Sequence, residues 1–193
     1  MLQKKEDIRS RRTRGCLRQA LIDLTVEEGY DAVTVTKIAE KAMINRATFY
    51  RYYEDKDDLL FRGLDSFFDS FVEAAVPPAA GASPDALVTS LEHIRRNAEF
   101  YRVMLGSKGF AGFQDRIRHY HFQIVSGRLE AMFPATRESE PADLALLNGF
   151  AAGALGGIIR TWVDNGCVQE PGRVAALITG LIAKGVSGYI SLS

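Results

Sequence analysis

The sequence predicts an all-α protein, and three observations predict it. Apolar residues recur at three- and four-residue spacings along most of the 193-residue chain, which is 47% hydrophobic and 25% charged. No alternating apolar–polar pattern of the kind a half-buried strand needs persists anywhere. Clusters rich in glycine and proline punctuate the periodic stretches, at 77-PPAAGASP-84, 106-GSKGFAG-112 and 134-PATRESEP-141.

The elements follow in order. Leu17, Ala20, Leu21 and Leu24 form an i, i+3, i+4, i+7 stripe, so residues 9–28 read as one amphipathic helix ended by Gly29. Thr34 is a suitable N-cap for a short helix over 35–42, and Asn45 caps another reaching to about residue 51. A longer helix from residue 55 carries Leu60, Phe61, Leu64, Phe68, Phe71 and Val72 and stops before Pro77-Pro78. Beyond that linker, 85–105 and 113–133 read as helices, then 143–164 and 172–190 with Asn165-Gly166 as the stop between them. No internal repeat is found.

Formal net charge is zero, so no global electrostatic argument for a nucleic-acid partner exists. The charge is unevenly divided, however. Residues 1–53 hold 11 basic and 7 acidic side chains, against 13 and 17 in the remainder. A basic piece on an acidic body suits an anion-binding module joined to something else. Cys16 and Cys167 lie far apart with no metal-binding spacing, which fits free, packed thiols in a reducing cytoplasm. The basic start, MLQKKEDIRSRRTRG, has no apolar segment behind it and does not read as a secretory signal. The apolar run 144-LALLNGFAAGALGGII-159 spans roughly 24 Å as a helix, short of the ~30 Å membrane core, and is expected to be a buried helix.

Residues 35–52 have the spacing of a helix-turn-helix, with Ile38, Ala42, Ile44, Phe49 and Tyr52 as apolar contacts and Ala39 where the helices approach. Such a unit sets its second helix in the major groove of DNA and braces it with the first. The run 45-NRATFYRYY-53 divides by helical spacing. Phe49 and Tyr53 point inward, while Arg46 and Tyr50 lie about 100° round the helix, with Thr48 and Tyr52 on a third line. Tyrosine hydroxyls can bond phosphate, and Arg46 can reach phosphate or a guanine edge. Lys56 sits in the first turn of the next helix, where the helix dipole disfavours a cation. Either a phosphate held there or the neighbouring Asp55, Asp57 and Asp58 would explain it.

The ordered residues Thr34-Val35, Ile38-Ala39, Thr48-Phe49-Tyr50, Lys56 and Leu59-Leu60 closely resemble the amino-terminal signature of the TetR (tetracycline-repressor-like) family of transcription regulators. The resemblance implies phosphate contacts from Thr34, Tyr50, Tyr52 and Lys56, and a groove-facing set of Asn45, Arg46, Ala47 and Thr48. Thr36 and Arg51 complete the candidate DNA-binding residues. It also implies a helix-turn-helix domain over 1–54 and a helical ligand-binding and dimerisation bundle over 55–193. Met43 departs from the pattern, standing in the turn where the family usually has glycine, which implies a different turn or strain.

In the body the likeness is architectural, most distinctive at 153-GALGGIIRTWVDNG-166. Gly149, Gly153 and Gly157 recur on one helical face, each costing roughly 1 kcal/mol against alanine. Close approach of another helix, across a dimer interface or within the chain, would offset that, and Trp162 joins the candidate dimer residues. Phe67, Phe68, Phe71, Phe100, Tyr101, Phe110, Phe113, Phe122 and Trp162 read as plain core before they read as a cavity lining, so no ligand-binding residue is named. His119 and His121 lie about 200° apart on a helix and cannot share a metal, and His93 stands alone; no metal and no cofactor are expected. No catalytic constellation is present, so the chain is not expected to be an enzyme.

The expectation is a cytoplasmic, homodimeric regulator that binds double-stranded DNA at a palindromic operator as a ligand-responsive repressor. It would have a small-molecule inducer of unspecified identity and no membrane partner. The other reading is a transcriptional activator or protein-interaction module whose body binds a partner protein.

Overall fold

The computed structural model describes residues 8–64, 84–107, 109–132 and 141–190, and every regular element among them is helical. In chain order these are α1 (Ile8–Glu28), a short 3-10 turn (Tyr30–Ala32), α2 (Val35–Lys41), α3 (Arg46–Tyr50) and α4 over 56–64. The body follows with α5 (Pro84–Arg96), α6 (Ala98–Leu105), α7 (Ala111–Met132), α8 (Pro141–Asp164) and α9 (Pro171–Ile190). The expected continuation of α4 through Phe67, Phe68, Phe71 and Val72, and most of the two proline-bounded linkers, lie outside the described residues.

The predicted stripe on α1 is the amino-terminal core. Leu17, Ala20, Leu21 and Leu24 are all buried, and Ile38 of α2, Phe49 of α3 and Leu59 of α4 close over them. Gly29 ends α1 at φ +82°, a conformation that only glycine takes without steric cost. Pro84, Pro141 and Pro171 open α5, α8 and α9 rather than preceding them. Proline suits the first helical position, where its missing N–H would have no partner anyway.

The helix expected over 85–105 is two. Asn97, at φ −118° and ψ 30°, separates α5 from α6, and its Nδ2 donates to the His93 carbonyl at 2.9 Å. That side chain competes for a backbone acceptor and bends the chain, a local effect that apolar periodicity does not register. Phe100, Tyr101 and Phe113 then meet edge-on or tilted at 5.6 to 6.1 Å between ring centres and form the heart of the body. The two parts share one apolar cluster. Between them, Phe110 of the loop before α7 stacks on Tyr30 at 4.9 Å. Cys167 is buried as expected, whereas Cys16 is exposed.

Candidate nucleic-acid interface

Both predicted caps form. The Thr34 Oγ1 accepts from the Lys37 N–H at 3.3 Å, and the Asn45 Oδ1 accepts from the Ala47 N–H at 2.7 Å. The turn between α2 and α3 closes through Ile44 N–H to the Ala39 carbonyl at 2.8 Å. That bond requires Met43 in the left-handed region, at φ 55°, with its side chain 93% exposed. Met43 therefore makes the same turn that glycine would make, at a conformational cost of about 1–2 kcal/mol.

The two faces of 45–53 separate as the spacing implies. Phe49 is fully buried and Tyr53 nearly so, with their rings 5.8 Å apart. Thr34, Thr36, Asn45, Arg46, Ala47, Tyr50 and Arg51 are exposed, and Thr48 is half-buried. This is one continuous polar surface held by an apolar anchor. Asn45 spends its Oδ1 on the cap, so its amide chiefly has N–H donors left to offer a base edge.

Two expected phosphate contacts are turned elsewhere. Tyr52 is half-buried, and its hydroxyl bonds Ser10 Oγ on α1 at 3.2 Å. Lys56 points back into the protein. Its Nζ donates to the carbonyls of Tyr30 at 2.8 Å and Val33 at 3.0 Å, approaches that of Asp31 at 3.5 Å, and stands 4.4 Å over the Tyr30 ring. Within the chain this lysine's donors go to backbone carbonyls and not to the neighbouring acids. It satisfies carbonyls of the 3-10 turn, an arrangement set by chain folding more than 20 residues away and absent from local sequence. Tyr30 itself donates to Asp57 Oδ1 at 2.5 Å; burial first, and then that carboxylate, push its phenol pKa up.

In the body, Gly149, Gly153 and Gly157 are exposed, and a Cβ on any of them would meet nothing within 4 Å. They line one wall of an open groove of about 610 Å3 between α7 and α8, and no described residue packs against them there. Gly156 is the glycine that does pack inward, with His121 Nδ1 3.1 Å from its missing Cβ. Trp162 requires correction as a dimer residue. It is buried within the subunit and its Nε1 donates to the Gln169 carbonyl at 3.0 Å, so almost none of it is left for a partner.

The α8 helix is 24 residues long and apolar enough to cross a membrane by length and composition, yet only 33% of its apolar window is buried within the chain. The expectation of a buried helix therefore holds for one face only. Its other face shows Leu146 and Phe150, and α9 beside it shows Leu177 and Leu181. Phe150 lies over Gly185, 2.9 Å from where a Cβ would stand, and joins the two rows.

A capped helix-turn-helix presented by a separate helical body defines a class, the helical nucleic-acid-reading proteins. Within it, residues 17–62 match the family model for bacterial regulatory proteins of the tetR family, and residues 83–184 match a transcriptional regulator C-terminal region. The chain belongs to the TetR family. The HTH-type transcriptional regulator YdeS of Bacillus subtilis, described as uncharacterized, is 34% identical over 84 residues, covering 44% of this chain and 41% of YdeS. The HTH-type transcriptional regulator TcmR of Streptomyces glaucescens is 25% identical over 135 residues, 70% of this chain and 52% of TcmR. The chain thus spans about half the length of these curated relatives. A crystal structure of the transcriptional regulator FadR from Bacillus subtilis in complex with stearoyl-CoA shares the fold, with a TM-score of 0.65 at 20% identity over 87% of this chain and 96% of that one.

Proposed function

We propose that the chain is a cytoplasmic, homodimeric, sequence-specific DNA-binding regulator, a repressor whose hold on a palindromic operator changes when a small molecule binds the body. One observation carries the reading. The α3 face exposes Arg46, Ala47, Tyr50 and Arg51 beside Thr34 and Thr36, while Phe49 anchors the helix from behind. Exposed guanidinium, phenol and threonine groups around a helix that can enter the major groove supply both phosphate and base-edge contacts.

The joined apolar rows of α8 and α9 favour a second copy as their cover, and two-fold symmetry would pair the recognition helices over half-sites about one turn, or a multiple of it, apart. Stearoyl-CoA in the FadR structure supports a ligand-responsive body by likeness of fold. Band-shift titration with the DNA upstream of the chain's own gene tests the reading. A discrete complex that unrelated DNA fails to compete is expected at physiological salt, and equal binding to every sequence would sink it.

A further inference from the structure

The reading head and the body meet at a cleft of about 460 Å3 between α1, α4, the end of α5 and α6. Its floor is apolar, with Leu21, Leu60 and Phe100 among the residues that line it. Its rim is cationic. Among the described residues Arg18 is the one lining side chain that carries a full charge at neutral pH, and its Cδ lies 3.4 Å from where a Cβ on Gly63 would stand, so the side chain crosses from α1 to α4.

His93 reports the local field. Burial first, and then the charges of Arg96 and Arg18, hold its pKa down at about 4. Arg96 and Arg18 thus both set positive charge near this imidazole. Arg62, Arg95, Arg102, Arg118 and Arg160 each pair with a carboxylate. Among the described residues no carboxylate pairs with Arg18 or with Arg96, whose Nε donates instead to the Glu92 carbonyl at 3.3 Å. An apolar cavity under a guanidinium that pairs with no described carboxylate complements an anion that carries an apolar body.

We propose that this cleft binds a small amphiphilic organic anion, a carboxylate on an apolar chain or ring, with Arg18 receiving the head group and the α1–α6 floor receiving the apolar part. One wall of the cleft belongs to the reading head and the other to the body, so an occupant fixes their spacing. Ligand and operator then change each other's affinity by the same factor. That consequence rests on the regulator reading, whereas the binding itself does not.

Calorimetric titration of the full chain with sodium decanoate, with decanol as the uncharged analogue, tests the site. Decanoate should bind at least about tenfold more tightly than decanol, in line with a hydrogen bond to a charged group. Arg18 is exposed, so Arg18→Gln should fold normally, reduce decanoate to the decanol level and leave decanol binding unchanged. Gly63→Leu, which fills the cleft, should weaken both probes. Decanoate that binds no better than decanol, or whose affinity Arg18→Gln leaves intact, overturns the proposal. Operator binding measured on the same samples separates the two readings. A wild-type chain that ignores all DNA but still prefers decanoate through Arg18 removes the regulator and keeps the site.

Discussion

Two side chains near α3 do more than their exposure or charge implies. Met43 holds a left-handed φ of 55° while its side chain stands in solvent, so nothing its side chain touches offsets the backbone cost. Met43→Gly should therefore raise stability by about 1 kcal/mol, read as a higher urea midpoint with an unchanged slope. A lower midpoint would mean that Met43 makes contacts this conformation lacks. Lys56 presents the opposite case, a cation whose donors are taken by the chain's own carbonyls. Lys56→Met should cost about 2 kcal/mol of stability by removing two hydrogen bonds from a charged donor, with the Tyr30 carbonyl keeping only the Val33 N–H. It should also weaken operator binding without changing the slope of log affinity against log salt. A slope reduced by about 0.9 would restore Lys56 as a phosphate ligand. Sequence alone marked both residues as misfits, because a missing glycine and a cation at a helix start violate local rules. It could not find what satisfies Lys56, since Tyr30 and Val33 reach it only through the fold.

At the scale of the helix, legibility followed the range of the interaction that fixes each feature. The α1 stripe, the Thr34 and Asn45 caps and the burial of Phe49 depend on neighbours three or four residues away, and all were readable. The break at Asn97 depends on a side-chain bond to His93 and was not readable; the packing of Tyr52 was readable, but its hydroxyl's bond to Ser10 of another helix was not. The α7–α8 pair carries a pH dependence of the same hidden kind. His121 on α7 packs against Gly156 of α8, and burial holds its pKa down at about 4, against 6.5 for a free imidazole. A histidine with a depressed folded pKa stays neutral in the fold while the unfolded chain takes up a proton. Stability is thus full above pH 6.5 and falls as pH drops from there towards 4. The loss at pH 5 should be about 2 kcal/mol from this group. His121→Gln, which cannot titrate, should flatten the difference in unfolding free energy between pH 7.5 and pH 5 by that amount. An unchanged pH profile would remove His121 as its source.

For the whole molecule the unresolved balance is apolar area. A chain with zero formal charge that shows Leu146 at 73% and Phe150 at 54% exposure on α8, with Leu177 and Leu181 near half on α9, is poorly protected against association. Single exposed leucines would mean little, but these four lie on two adjoining helices and Phe150 bridges them at Gly185. Gly149, Gly153 and Gly157 beside them leave room for close approach, since no described residue fills the space their Cβ atoms would occupy. Burial of this face against a two-fold copy, as proposed, would remove the apolar area from water and compensate the glycines' helical cost. Leu181→Glu would place a carboxylate on the dyad-related surface of both copies, where like charges and lost apolar burial act together. Light scattering on a size-exclusion column should show the wild type as a dimer and Leu181→Glu as a monomer, with far-ultraviolet helicity retained because the side chain is half exposed within one subunit. Operator affinity should fall as dimerisation is lost, because one recognition helix alone reads only half of a palindrome. A Leu181→Glu protein that stays dimeric would move the interface off α9, and a wild type that is monomeric at micromolar concentration would end the two-fold reading altogether.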